Sequence, residues 1–314
     1  MSDTPQSTAP IATTTRFESG SIESDNPVKF RCERDVLDRA FSITRRAVAG
    51  RGGTLQVLSG LHLELKGNTL TVVGSDLDLV VRVTVEVGGE QDGSVVLSAQ
   101  LGAEIVRALD SGQVEFTVDD DGASVVSGRS DFRLRVMSAE EYPRFDEPGG
   151  ESVTLDAGAV ADALDQVIKA ASIDDSRLIL TGVLMAAEAD GLRFVATDSY
   201  RLAVRDLPGT AVLGRDQTVL VPSRALDMVG KILGDAEELT IRLGERDATF
   251  EVDDVQVVTR LIEGEFPNYR GLIPDDHPNV LVVNRLALQE AVRRVRILAQ
   301  ESTPVRLSMS AEGL

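Results

Sequence analysis

The run Leu58-Ser59-Gly60, the turn Gly67-Asn68 and the pair Ser75-Asp76 return later in this chain as Leu180-Thr181-Gly182, Asp190-Gly191 and Thr197-Asp198. From 58 to 180 and from 76 to 198, the shift is 122 residues. The clause Glu141-Tyr142-Pro143-Arg144-Phe145 returns as Glu265-Phe266-Pro267-Asn268-Tyr269, shifted by 124, and Gly313-Leu314 falls 122 past Gly191-Leu192. Several anchors in one order at one spacing define an internal repeat. Its period exceeds the roughly 20–50 residues of solenoid repeats and matches a whole domain. The chain therefore reads as a tandem array of similar domains whose third copy stops early.

Within each copy the hydrophobic pattern gives the same series of elements. A short strand leads into a helix whose apolar face is Val36, Leu37, Ala40, Phe41, Ala47 and Val48 in the first copy. Val160, Leu164, Val167, Ile168 and Ala171 form it in the second, and Leu288, Val292, Val295 and Leu298 in the third. These spacings follow the 3.6-residue helical period. Leu61, Leu63 and Leu65 alternate with His62, Glu64 and Lys66, the pattern of a half-buried strand, and Gly67-Asn68 supplies a hairpin turn. A second helix follows, with Leu101, Ile105 and Leu109 in one copy and Leu226, Val229 and Leu233 in the other. Ser98 and Ser223 stand where an N-cap hydroxyl would serve it. Further strands follow, with Asp121-Gly122 turning the first copy's hairpin. Each copy reads β-α-β-β-β-α-β-β-β, two helices against one antiparallel sheet, an α+β architecture. The boundaries are a disordered tail over 1–27, domains over 28–148 and 149–276, and the start of a third over 279–314.

Composition narrows the function. The chain has 314 residues, 42% of them apolar, and no apolar run of membrane-spanning length. Residues 1–26 are rich in Ser, Thr and Pro and lack the pattern of a signal peptide. The one cysteine, Cys32, excludes internal disulfides and suits a reducing cytoplasm. The net charge of −19 argues against phosphate binding by the chain as a whole. Its distribution does not. Residues 29–51 hold seven basic side chains against three acids, and residues 285–296 hold four against one. Both blocks fall on the first helix of a copy.

Catalytic signals are sparse. His62 and His277 share no metal spacing and read as surface residues. Gly50-Arg51-Gly52-Gly53 lacks the Lys-Ser/Thr of a phosphate loop. Asp76 and Asp78 would share one face of a strand and could hold a metal, although the second copy replaces Asp78 with Tyr200. No cofactor is expected.

The repeat, the clause Val195-Ala196-Thr197-Asp198-Ser199-Tyr200-Arg201-Leu202-Ala203-Val204 and the clause Glu263-Gly264-Glu265-Phe266-Pro267-Asn268-Tyr269 resemble the bacterial sliding clamp, the beta subunit of DNA polymerase III. The resemblance covers residues 28–314. It implies three domains per chain and two chains closed head to tail into a six-domain ring around duplex DNA. Such a protein is a non-catalytic processivity factor that tethers the polymerase. Its partners are double-stranded DNA without sequence preference, the replicative polymerase, the clamp loader, and repair and translesion proteins. No membrane is involved, and the full-length protein is a homodimer.

By resemblance, Arg34, Arg39, Arg45, Arg46, Arg51, Arg293, Arg294 and Arg296 face DNA. Leu180, Thr197, Leu202, Pro267 and Leu272 receive partner peptides, and Phe132, Ile297 and Leu298 lie at the dimer seam. The sequence departs from the family in its tail, in Gln56 where many relatives have Pro, in Gly271 where some relatives place a longer side chain, and in Asp156, Asp162 and Asp165 on an inner helix. About 85 residues of a third domain are expected beyond Leu314, by the size of the repeat. Two other readings are a divergent second clamp, for repair or inhibitor resistance, and a metal-dependent nucleic-acid enzyme using Asp76 and Asp78.

Overall fold

In a computed structural model, the structure describes residues 14–15, 27–49, 55–145, 149, 152–209, 214, 217–299, 304–310 and 313–314. They fall in two compact units, Met1–Phe266 and Pro267–Leu314.

In the first unit, the first copy runs β1 (Thr14–Thr15), β2 (Lys29–Glu33), α1 (Arg34–Thr44), β3 (Gly60–Lys66), β4 (Thr69–Ser75), β5 (Leu79–Glu86), β6 (Gly88–Gln91), β7 (Gly93–Ser98), α2 (Ala99–Ala108), β8 (Gln113–Asp119), β9 (Gly122–Ser127), β10 (Ser130–Leu134) and β11 (Val136–Met137). The second runs β12 (Ser152–Asp156), α3 (Ala157–Val167), β13 (Gly182–Glu188), β14 (Gly191–Thr197), β15 (Leu202–Pro208), β16 (Thr218–Pro222), α4 (Ser223–Leu233), β17 (Glu238–Leu243), β18 (Asp247–Val252) and β19 (Val255–Arg260). In the second unit, α5 (Arg285–Val295) is capped by Asn284, whose side chain accepts from the Ala287 N–H at 3.1 Å.

The α+β reading holds, but the strands of each copy divide between two sheets where the pattern suggested one. The early strand β2 crosses over to pair with the late strand β8, and β12 does the same with β17. This leaves β3, β4, β5 and β7 as a separate group, and β13 to β16 as its counterpart. The two copies meet through strands. β5 pairs antiparallel with β19 over five residue pairs, from Leu79↔Thr259 to Val83↔Val255, so one nine-stranded sheet crosses the boundary. At this crossing Val81 and Val257 oppose each other and belong to the main core, with Leu37 and Phe41 of α1 and Leu226 and Val229 of α4. Val80 and Val258 oppose each other one residue along and belong to a smaller cluster on the other face, with Leu58, Val73 and Tyr142. Because side chains alternate along a strand, the helices of both copies lie on one face of the joined sheet.

The repeat extends to the sheet edges. β8, β9 and β10 correspond to β17, β18 and β19, each starting 125 residues earlier (113, 122, 130 against 238, 247, 255), and β5 corresponds to β15. β10 is thus the first copy's version of the strand that β5 joins in the second.

Two helix details differ from the pattern. Ser98 caps α2 through the Leu101 N–H, whereas Pro222 occupies the cap position of α4 and Ser223 is its first helical residue. The fixed extended backbone of Pro222 shifts this start by one residue. The buried face of α2 is Ala99, Gly102, Ala103 and Val106, and Leu101 is exposed. A Cβ on Gly102 would stand 2.4 Å from Leu97 and 3.4 Å from Phe41, so close approach of α1 and α2 selects the small residues. At the other end of α1, a Cβ on Gly74 would come 2.1 Å from the Thr44 carbonyl oxygen. That neighbour is backbone and cannot swing aside. Gly74→Ala is expected to cost stability at the upper end of about 1–3 kcal/mol, measured as a lower urea midpoint with an unchanged denaturant slope.

Candidate functional site

Thr197 and Asp198 build a turn between β14 and β15. The Thr197 hydroxyl donates to the Arg201 carbonyl at 2.7 Å and accepts from the Ser199 N–H at 3.1 Å. Asp198 Oδ1 accepts from the Tyr200 N–H at 2.9 Å and the Arg201 N–H at 3.0 Å, and Oδ2 pairs with Arg201 Nε at 3.1 Å. These bonds hold Ser199 at φ 80°, a left-handed conformation that costs a non-glycine residue free energy. The first copy repeats the device. Ser75 Oγ accepts from the Leu77 N–H, Asp76 Oδ1 accepts from the N–H groups of Asp78 and Leu79, and Leu77 sits at φ 84°.

This overturns the strand placement of Asp76 and Asp78. Both lie in a turn, Asp76 also pairs with Arg224, and the exposed Asp78 faces Arg260 at 3.9 Å. The Asp76 oxygens are committed to backbone N–H groups and a guanidinium, not to a neighbouring carboxylate. Among the described residues no group of three or more His, Cys, Asp or Glu could hold a metal ion.

Around the second turn, Leu180 and Leu202 are half-buried and Thr197 is buried. The two leucines thus offer apolar surface outside the core, while the Thr197 hydroxyl is consumed by the turn. Arg177 and Tyr200 belong to the same turn and were missed by sequence reasoning. Arg177 donates to the Asp198 carbonyl at 3.3 Å and to Asp174 at 3.1 Å, and Tyr200 is almost fully exposed. The Ser/Thr-Asp pair shared by the two copies could have flagged the turn, but no spacing pointed to Arg177. In the second unit, Pro267 is exposed and Leu272 is 68% exposed. Tyr269 is buried beneath the Arg270 guanidinium, 5.4 Å from its ring centre.

The basic residues separate by role. Arg45 and Arg46 are exposed in the turn that ends α1, and Arg293, Arg294 and Arg296 are exposed on α5 and the turn after it. Arg39 is different. It forms a two-pronged bridge to Asp254, 2.7 Å on one side, which raises its pKa above the ordinary arginine value. It links α1 of the first copy to the β18–β19 turn of the second, so its guanidinium is already committed. Arg34 is half-buried, 3.1 Å from Asp35 and donating to Ser111 at 3.3 Å. Arg51 lies outside the described residues. On α3, Asp156 caps the helix through the Ala159 N–H and Asp165 pairs with Lys169, so both acids have local structural work.

Phe132 is half-buried on β10 against the main core, whereas Ile297 and Leu298 are 82% and 83% exposed. His62 is not a surface residue. It is half-buried, its ring stacks on Tyr142 at 5.1 Å, and burial lowers its pKa. His277 is exposed. Burial pushes the Cys32 thiol up to about 12, which keeps it protonated near neutrality. Among the described residues, no helix is long and apolar enough to cross a membrane.

Tandem α+β domains joined through one sheet, helices on one of its faces and half-buried apolar side chains beside a locked turn define a DNA-clamp scaffold. The family "DNA polymerase III beta subunit, N-terminal domain" matches residues 28–146, and "DNA polymerase III beta subunit, central domain" matches residues 154–268. The beta sliding clamp of Streptomyces coelicolor is 35% identical over 289 residues, covering 90% of this chain and 76% of the relative. The crystal structure of the DNA polymerase sliding clamp from Bacillus subtilis superposes with a TM-score of 0.81 at 29% identity, covering 88% of this chain and 75% of that one. A sliding clamp from Pseudomonas aeruginosa bound to griselimycin gives 0.80 at 26% identity, covering 88% and 75%. The chain belongs to the beta sliding clamp family, the beta subunit of bacterial DNA polymerase III. It is a processivity factor with no catalytic activity of its own.

The Tyr200 and Arg201 N–H bonds, the former the larger cause, hold the Asp198 carboxyl below the ordinary aspartate range. The stabilisation is therefore present above the unfolded pKa of about 3.9 and is lost as pH falls through the folded value. Carbon-detected NMR titration should find Asp198 titrating below an ordinary aspartate, and Asp198→Ala should remove this acid-dependent share of stability.

Proposed function

We propose that two copies of the full-length protein close head to tail around duplex DNA and tether the replicative polymerase, the clamp loader and repair proteins to it. The protein works in the bacterial cytoplasm, where its DNA is. The observation that carries this reading is the β5–β19 pairing and the repeat of its two strands elsewhere. β15 repeats β5 and β10 repeats β19, so a strand of the β5 type from the third domain of a second copy fits the β10 edge by the same antiparallel pattern. Phe132 lies on that edge, and Ile297 and Leu298 are the apolar residues we assign to the partner's side of the seam. Exposed apolar side chains of this size favour burial between chains.

A ring retains DNA by topology, so its lining needs only sequence-independent phosphate contacts. Arg45, Arg46, Arg293, Arg294 and Arg296 are exposed for this role, and the acidic balance of the chain discourages DNA from binding elsewhere. Replacing Arg45 and Arg46 by Ala should weaken DNA binding on every sequence. It should also flatten the plot of log affinity against log salt by about 0.9 per lost phosphate contact. Arg39→Ala should leave that slope unchanged and instead lose up to about 1 kcal/mol of stability with the junction bridge, read as a lower melting temperature. A reversal of these two outcomes would reassign the lining.

For partner peptides, Leu180 and Leu202 supply the half-buried apolar floor and Thr197 fixes the turn that presents Leu202. By resemblance, Pro267 and Leu272 contact the same short extended peptide. Apolar recesses with few polar groups suit such ligands. Leu202→Asp and Leu272→Asp should each weaken a Gln-Leu-hydrophobic clamp peptide at least tenfold by fluorescence anisotropy, with DNA binding intact. Undiminished saturable binding would place the pocket elsewhere.

A further inference from the structure

The β10 edge is not empty. β1 pairs with it in parallel, Thr14 opposite Asp131 and Thr15 opposite Phe132. By the 125-residue correspondence, Asp131 and Phe132 stand where Gln256 and Val257 stand in the second copy. There, Gln256 and Val257 pair with Arg82 and Val81, the middle of the five-pair junction. The N-terminal segment therefore sits on the centre of the edge that the second copy of the repeat uses to receive a strand from another domain. We propose that the segment around Thr14 and Thr15 is a built-in edge strand, which covers β10 in the open chain and must leave before a second chain can pair there.

Three observations support this assignment, which rests on the ring reading above for the identity of the displaced partner. An edge strand exposes a row of N–H and C=O groups that any extended segment can satisfy. A strand on the same edge of β10 uses the same groups, so the two occupants exclude each other. Residues 11–17 read Ile-Ala-Thr-Thr-Thr-Arg-Phe, with β-branched residues at four of seven positions in a stretch otherwise rich in Ser, a composition that suits strand pairing. The run also precedes residue 28, where the match to the clamp N-terminal domain begins, so it is not needed to complete that domain. Magnitude decides the order of events. β1 offers two parallel pairs and the β19-type junction offers five antiparallel ones. Parallel pairing is also slightly weaker per residue. The segment protects the edge and yields to the longer strand.

The test uses the full-length protein, whose third domain supplies the displacing strand, and a double variant, Thr14→Pro with Thr15→Pro, because proline has no N–H and disfavours strand pairing. In hydrogen–deuterium exchange, the amides of Ser130 to Arg133 should lose protection by about fivefold in the variant, with β8 and β9 unchanged. In sedimentation, self-association should tighten by a similar factor. A synthetic peptide of residues 8–20 should reverse both effects. Unchanged exchange would overturn the edge strand itself. Faster exchange with unchanged or weaker self-association would overturn the competition. Phe132→Asp separates the ring reading: if it leaves self-association and retention on circular DNA untouched, the seam is elsewhere, while the exchange result still judges the edge strand.

Discussion

Backbone pairing between β5 and β19 is the constraint on which the rest depends. Ten backbone positions from segments some 175 residues apart meet in one register. That register places Val81 and Val257 in the helix-side core and Val80 and Val258 on the opposite face. A slip of one residue would send every side chain to the wrong face. Side chains reinforce the crossing at both ends. Arg39 reaches Asp254 on one side and Arg224 reaches Asp76 on the other. Between them Arg82 donates to Gln256 and to the Phe145 carbonyl. A groove of about 1010 Å³ lies over this crossing, lined by His62, Arg82, Tyr142 and Gln256 among others. Of its five acids, Glu251 and Asp254 are already paired with Arg242 and Arg39.

Much of this fold is legible in the sequence because the repeat is long and its anchors are chemically constrained. Leu61, Leu63 and Leu65 are buried as their alternation required, and the helix faces of α1, α3 and α4 follow their apolar spacing. Failures arise where a distant partner overrides local pattern. Periodicity favoured Leu101 for the α2 face, but the closeness of Phe41 and Leu97 to Gly102 turned the helix toward its small residues. The division of each copy into two sheets depends on β2 finding β8, roughly 80 residues away, and no local signal encodes that choice.

The site shows the same limit. Leu180, Thr197 and Leu202 are named by resemblance, and only the Thr197-Asp198 turn beside them is legible from local chemistry. Its carboxylate and hydroxyl satisfy N–H groups two and three residues on. The role of Arg39 is not legible that way. Charge counting places it with Arg45 and Arg46, yet its partner Asp254 is 215 residues away. Once paired, it belongs to the junction. His62 moved inward for a similar reason, since the ring of Tyr142 covers it from a segment 80 residues later.

The single core running beneath both copies has a mechanical consequence. Two domains that share one hydrophobic interior and one sheet behave as a stiff lever, because bending at their boundary would break strand pairs and expose Val81 and Val257 together. Compliance in such an assembly gathers at whichever joint is held by the fewest contacts. A machine that must pry the assembly apart therefore has no need to deform a domain. It can pull on rigid arms and let the weakest joint part.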